Sequence, residues 1–148
     1  MRIRELGHVV LYVTELKKVA NFYRDILGFK EIARDAQTAL FSSGRTHHEL
    51  LLIEIGGVVR RHGIEPGLYH IGFKAADSAE EIKEVYAHLK KHGVTIVGTG
   101  DHGITHSIYI LDPDGNELEL YADVSDKWRE NPKAILQPVR SLNLNTSS

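Results

Sequence analysis

The sequence predicts an α+β fold built from two β-α-β-β-β modules whose curved sheets enclose a cavity. Three observations point there. A short apolar run with a histidine in its second position occurs twice, as Gly7-His8-Val9-Val10-Leu11-Tyr12-Val13 and as Tyr69-His70-Ile71-Gly72-Phe73-Lys74-Ala75. An amphipathic helical pattern follows each run. Three strand-like segments follow each helix. Self-similarity of this kind marks a duplicated unit. A helix followed by short strands marks a helix laid on one face of a sheet. The opposite face of each sheet then needs cover, and two modules can supply it to one another.

The first module occupies about residues 3–55. It opens with a strand over 6–13. Thr14 is placed to cap a helix whose apolar stripe is Leu16, Val19, Phe22 and Ile26. Gly28 can end that helix in the left-handed conformation. Strands over 29–34, 39–42 and 49–55 complete the module. Residues 56–67, rich in glycine and charge, form an exposed joint. The second module, about 68–122, repeats the pattern. A strand over 68–75 leads to Ser78-Ala79-Glu80-Glu81, which reads as a capping box. Ile82, Val85 and Leu89 form the stripe, and Gly93 follows it. Strands over 94–97, 107–111 and 117–121 come next, the last two joined by the tight turn Asp112-Pro113-Asp114-Gly115-Asn116. The chain reads as one domain, 1–148, with a tail over 123–148 that has no sustained period. Trp128 and Ala134-Ile135-Leu136 are expected to dock on the body or on a partner chain, and residues 143–148 are expected to be mobile.

Composition narrows the function classes. The chain is 42% hydrophobic and 26% charged, with a net charge of -2, which is ordinary for a soluble globular domain and gives no electrostatic reason to expect nucleic acid or an anionic membrane as partner. No apolar run approaches the roughly 20 residues that span a bilayer. A strand begins almost at the N-terminus, so no targeting segment is expected. The absence of cysteine excludes disulfides and thiolate metal sites and fits the cytoplasm.

The chemistry lies in histidines and carboxylates on strands. His8, His70 and Glu119 each sit in a predicted strand, the histidines at matching places of the repeat. Strand residues alternate faces, so all three can point away from the helices into the cavity. Two imidazoles and one carboxylate on rigid strands make a facial metal site with open positions, the ligand set of non-haem Fe(II) oxygenases. His48 has the parity of Leu50, Leu52 and Glu54, and an imidazole beside a metal can act as acid or base near pH 7. Glu54 is read as inward too. It is either a fourth ligand, which would suit a metal isomerase or lyase, or a solvated glutamate at a strand end. His102 and Tyr109, on a loop entering the penultimate strand, can orient a hydroxylated substrate. His62, His88 and His92 read as surface residues.

Three stretches carry a family resemblance: Gly7-His8-Val9-Val10-Leu11-Tyr12-Val13-Thr14-Glu15-Leu16, Asn21-Phe22-Tyr23-Arg24-Asp25-Ile26-Leu27-Gly28-Phe29, and Asp112-Pro113-Asp114-Gly115-Asn116-Glu117-Leu118-Glu119-Leu120-Tyr121. Over roughly residues 3–122 the chain resembles the vicinal oxygen chelate superfamily, which includes glyoxalase I, fosfomycin and bleomycin resistance proteins and extradiol dioxygenases. The remaining polar residues look most like catechol 2,3-dioxygenases. By that resemblance His8, His70 and Glu119 fall on the iron ligands, His48 on the catalytic histidine, and His102 and Tyr109 on substrate-contacting residues. The segment from His102 to Tyr109 is a couple of residues shorter here. Many of those enzymes also carry a second, inactive domain. The resemblance implies an Fe(II)-dependent extradiol cleavage of a catechol-type aromatic diol by O2 in a homodimer. The rival resemblance is to glyoxalase I, with Glu54 as a further ligand and Mn(II), Ni(II) or Zn(II) as the metal. A third is to resistance proteins that bind small molecules without catalysis.

Overall fold

The computed structural model describes residues 1–59, 64 and 66–145. His62 and residues 146–148 of the tail lie outside the described residues. The chain divides into two compact units, Met1–Gly63 with Pro113–Gly115, and Ile64–Asp112 with Asn116–Ser148. The order β-α-β-β-β occurs in both, as the repeat predicts. The first unit runs β1 (Val9–Val13), α1 (Leu16–Asn21), β2 (Lys30–Arg34), β3 (Thr38–Ser42) and β4 (Leu50–Glu54). The second runs β5 (His70–Ala76), α2 (Glu81–Lys91), β6 (Ile96–Asp101), β7 (Thr105–Leu111) and β8 (Glu117–Asp123). Each unit holds one four-stranded mixed sheet, in the orders β1-β4-β3-β2 and β5-β8-β7-β6. The outer pairs β1–β4 and β5–β8 are parallel, and the other neighbours are antiparallel.

Alternation along each strand separates a helix-covered face from an open one. In the first unit Leu11, Val13, Phe41, Leu50 and Leu52 are buried together with Leu16, Val19 and Ala20 of α1. After α1 the chain widens into a π-helical turn, Phe22–Ile26, where Leu27 N–H donates to the Phe22 carbonyl at 3.1 Å. Tyr23 is fully buried in this turn, so it joins the apolar stripe read from the sequence. Gly28, at φ 76°, then ends the helical segment in the left-handed region, as expected. In the second unit Ile71, Ile108, Ile110, Leu118 and Leu120 are buried with Ile82 and Leu89 of α2. The expected capping box forms in half at the start of α2, because the glutamate reaches the N–H of Asp77 and not that of Ser78. Ser78 Oγ accepts from Glu81 N–H at 3.1 Å, and Glu81 Oε2 accepts from Asp77 N–H at 2.8 Å. Burial of side chains of this size contributes about 1.5–3 kcal/mol each.

Several expectations need correction. Thr14 does not cap α1 with its side chain. Its N–H and its hydroxyl both donate to Asp114, at 2.7 Å each. The cap is Glu54, whose Oε2 accepts from Leu16 N–H at 2.6 Å. Glu54 shares its strand face with Leu50 and Leu52, both fully buried on the helix side. The inward placement expected of Glu54 is therefore overturned, and the same alternation takes Leu50 and Leu52 off the open face. The tail differs as well: Leu144 is 2% exposed, so the chain is docked to that point. Among the described residues no helix is long and apolar enough to cross a membrane. Glu54→Ala removes the acceptor at the start of α1 and should lower the unfolding free energy by about 1 kcal/mol. Urea titration checks this, and an unchanged midpoint would remove the capping role.

Candidate metal-binding and substrate site

The second unit gathers most of the expected chemistry on the open face of its sheet. The parallel register sets His70 beside Glu117 and Gly72 beside Glu119. Tyr109 on β7 stands opposite Glu119. Glu119 Oε2 lies 3.1 Å from His70 Nε2. Its other oxygen accepts from Ser107 Oγ at 2.6 Å and from Tyr109 Oη at 3.3 Å. His102 Nε2 is 2.8 Å from Tyr109 Oη. With the phenol donating to Glu119, the imidazole N–H of His102 donates to the phenol, and that chain selects its tautomer. Burial, followed by the charge of Glu119 and the hydrogen bond to it, pushes the Tyr109 pKa up to about 12, so the hydroxyl stays protonated at neutral pH. Burial likewise raises Tyr121. A cavity of about 580 Å³ opens over these groups. Its lining includes the polar His70, His102, Tyr109 and Glu119 and the apolar Ile104, Trp128 and Ile135.

The first unit gathers histidines. His8 lies just before β1 and is exposed. Its ring centroid is 4.6 Å from that of His48. His47 Nδ1 and His48 Nδ1 are 2.6 Å apart. Partial loss of hydration, then the neighbouring His47 and His8, lower the His48 pKa and favour its neutral form. The first unit offers no counterpart to Glu119. Glu119 lies beside Gly72, two residues after His70. The matching place, beside Val10 and two residues after His8, is Leu51.

The expected residues are thus brought together as two groups, His8 with His48 in one unit, and His70, Glu119, Tyr109 and His102 in the other. Among the described residues no three His, Asp or Glu side chains converge as a ready metal site. The second-unit pair nevertheless suits a metal. Ligand bonds of about 2.1 Å meeting near a right angle put two donor atoms about 3.0 Å apart, close to the 3.1 Å between His70 Nε2 and Glu119 Oε2. His70 Nδ1 is buried and has no hydrogen-bond partner among the described residues. Ser107, to which the sequence assigns no role by itself, is fully buried and donates to Glu119, its one sequence signal being the strand parity it shares with Tyr109.

A model of the Glyoxalase/Bleomycin resistance protein/Dioxygenase superfamily matches residues 5–120, and the chain belongs to that superfamily. It is 33% identical over 119 residues to the catechol-2,3-dioxygenase of Bacillus subtilis, covering 80% of this chain and 41% of that protein. It is 30% identical over 120 residues to the biphenyl-2,3-diol 1,2-dioxygenase 3 of Rhodococcus globerulus, covering 80% of this chain and 63% of that one. The chain therefore spans less than two thirds of the length of these dioxygenases. It is also 32% identical to the metallothiol transferase FosB of Staphylococcus saprophyticus over 80% of this chain and 77% of the relative. Among solved structures, the fosfomycin resistance protein FosX of Listeria monocytogenes, in a complex with Mn(II), is 25% identical with a TM-score of 0.68 over 88% of this chain and 98% of that one. A lactoylglutathione lyase of Agrobacterium tumefaciens is also 25% identical, with a TM-score of 0.65 over 82% and 96%. Relatives in this superfamily are mostly metalloenzymes of different reactions, so the fold leaves the reaction to be argued from side chains.

The hydrogen bond between His102 and Tyr109 is open to direct measurement. A double-mutant cycle on stability with His102→Ala and Tyr109→Phe should give a coupling of about 0.5–1.5 kcal/mol. Additive effects would mean that the pair does not form in solution.

Proposed function

We propose that the protein is an Fe(II)-dependent extradiol dioxygenase that opens a catechol-type aromatic diol with O2. The carrying observation is the polar cluster of the second unit, in which Tyr109 and His102 form a hydrogen-bonded pair beside Glu119 and His70 on one cavity. His70 and Glu119 would hold the metal together with His8, completing two imidazoles and one carboxylate. The whole chain then acts as one functional domain. The dioxygenase relatives support the same direction. Leu51 at the place that matches Glu119 argues against the four-ligand, glyoxalase-like alternative.

When bound, Fe(II) would supply open positions for both diol oxygens and for O2, and a route for electrons from ring to oxygen. Both atoms of O2 end in the ring-opened product, so no further reductant is needed. The protein's own residues do the rest. Ser107 fixes Glu119 by donating to one oxygen, which leaves the other facing His70. Tyr109, protonated at neutral pH, would turn its one hydroxyl proton from the 3.3 Å bond to Glu119 to a substrate oxygen. His102 holds that phenol in place. His48, beside His8 and inclined to be neutral, can take a proton from the diol and return it as the ring opens.

A homodimer in the cytoplasm completes the proposal. Tyr12 is 68% exposed and Tyr69 is 71% exposed, large side chains whose cover a second copy could supply. The absence of cysteine suits a reducing compartment.

The deciding experiment is anaerobic reconstitution with Fe(II), followed by catechol, 3-methylcatechol and 2,3-dihydroxybiphenyl in air. A yellow ring-fission product is expected. Colourless mixtures, together with glutathione-dependent turnover of methylglyoxal by a Ni(II) or Zn(II) form or turnover of fosfomycin by a Mn(II) form, would overturn the proposal. His8→Ala, His70→Ala and Glu119→Ala should each lose bound metal, measured by elemental analysis. Ser107→Ala should weaken metal binding by about 10–100-fold. His48→Ala should keep its metal and lose turnover by about 10²–10⁴-fold. Loss of metal in that variant would make His48 a ligand.

A further inference from the structure

The chain beyond β8 folds back on the second unit. Two short 3-10 turns, Lys127–Arg129 and Pro132–Leu136, precede an extended strap. The strap is tied to β6 at several points. Asp101 and Arg140 exchange both backbone hydrogen bonds, at 3.0 and 2.9 Å. Arg140 Nη2 pairs with Asp101 Oδ2 at 2.9 Å. Thr99 Oγ1 donates to the Leu142 carbonyl at 2.8 Å, and Leu144 is buried. Gly100 makes the close approach workable, because a Cβ there would stand 2.8 Å from Val139 Cγ1 and 3.4 Å from His102 Nε2. The strap and His102 therefore share one foothold.

Upstream of that foothold, Trp128 and Ile135 line the cavity that holds His70, His102, Tyr109 and Glu119. The Arg129 guanidinium lies 4.5 Å from the Trp128 ring centre, a cation–π contact that steadies the indole. The cavity lining thus holds both polar and apolar side chains, Trp128 and Ile135 being contributed by the tail. Its volume of about 580 Å³ falls among ordinary small-molecule sites. A ligand that fills it needs a polar head and an apolar body. Trp128 and Ile135 lie beyond residue 120, where the superfamily match ends.

We propose that the tail is the specificity wall of this cavity, with Trp128 and Ile135 receiving a ring-sized apolar substituent carried by the substrate. The proposal rests on the diol chemistry only for the identity of the polar head. It selects aryl-substituted diols over bare catechol.

Trp128 is the only tryptophan in the sequence, so its emission reports on the wall directly. The full-length Fe(II) protein is titrated anaerobically with catechol, 2,3-dihydroxybiphenyl and 2-phenylphenol, following emission and heat. The biphenyl diol should bind at least about tenfold more tightly than catechol and change Trp128 emission. Ile135→Ala and Trp128→Ala, both at partly exposed positions, should reduce that affinity ratio to about threefold or less. An undiminished ratio in both variants, or unchanged emission at calorimetric saturation, would overturn the wall. If neither diol binds while 2-phenylphenol still changes Trp128 emission, and Ile135→Ala weakens that effect, the wall stands and the diol chemistry falls. If none of the three ligands changes the emission, the wall falls whatever the diols do.

Discussion

The parallel pairing of β5 with β8 is the constraint on which the site depends. It brings a strand from the start of the second unit beside a strand from its end, in a register that sets Gly72 against Glu119. The carboxylate can then lie back toward His70. A Cβ at Gly72 would already stand 3.6 Å from Glu119 Oε2, so a side chain much larger than alanine would take the carboxylate's room. β7 then delivers Ser107 and Tyr109 to the other carboxylate oxygen through an antiparallel register. Every polar group of the cluster sits on a strand or at a strand entrance, held from behind by the buried Ile108, Ile110, Leu118 and Leu120. Rigid backbone support of this kind fixes geometry better than a loop can.

The two units repeat a topology but not a chemistry. At the place where the second unit has Glu119, the first has Leu51. The first unit's strand-end carboxylate, Glu54, is used on the helix side, where it accepts the first free N–H of α1. A carboxylate there also meets the positive end of the helix dipole. Both units therefore keep a histidine at the matching place, His8 and His70, but the carboxylate with its hydrogen-bonding companions occurs in the second alone among the described residues.

Much of this was legible in the sequence. The repeat gave the order of elements, Gly28 marked the end of the first helical segment, and Ser78 with Glu81 marked the approach to α2 although α2 itself begins at Glu81. His70, Glu119, His102 and Tyr109 were read as site residues, and the second unit brings them together. What failed was parity in β4. Leu50, Leu52 and Glu54 are as compatible with an inward face as with a helix-facing one, and only the packing of α1 decides between them. The length of β6 was underestimated because Gly98 and Gly100 weaken the strand signal, although the neighbouring β7 supplies the ladder. The tail was legible only in part, because Trp128 and Ile135 stand out as apolar residues while its anchoring mixes backbone bonds of Asp101, Arg140 and Leu142 with scattered side-chain contacts of Thr99, Arg140 and Leu144 that follow no period.

The relatives of this chain carry the names of a dioxygenase, a metallothiol transferase and a lyase, so one fold serves several reactions. The ligand triad does not distinguish among them, because each reaction needs a Lewis acid with free positions. Discrimination must come from groups that touch the substrate without binding the metal. On the proposed function those groups are a phenol held protonated, an imidazole hydrogen-bonded to it and the apolar side chains of the same cavity lining. A protonated phenol donates a hydrogen bond to an anionic oxygen, and an apolar wall accepts a hydrocarbon body. An aromatic diol presents both features in one molecule, whereas a small hydrophilic phosphonate would leave Ile104, Trp128 and Ile135 without a partner.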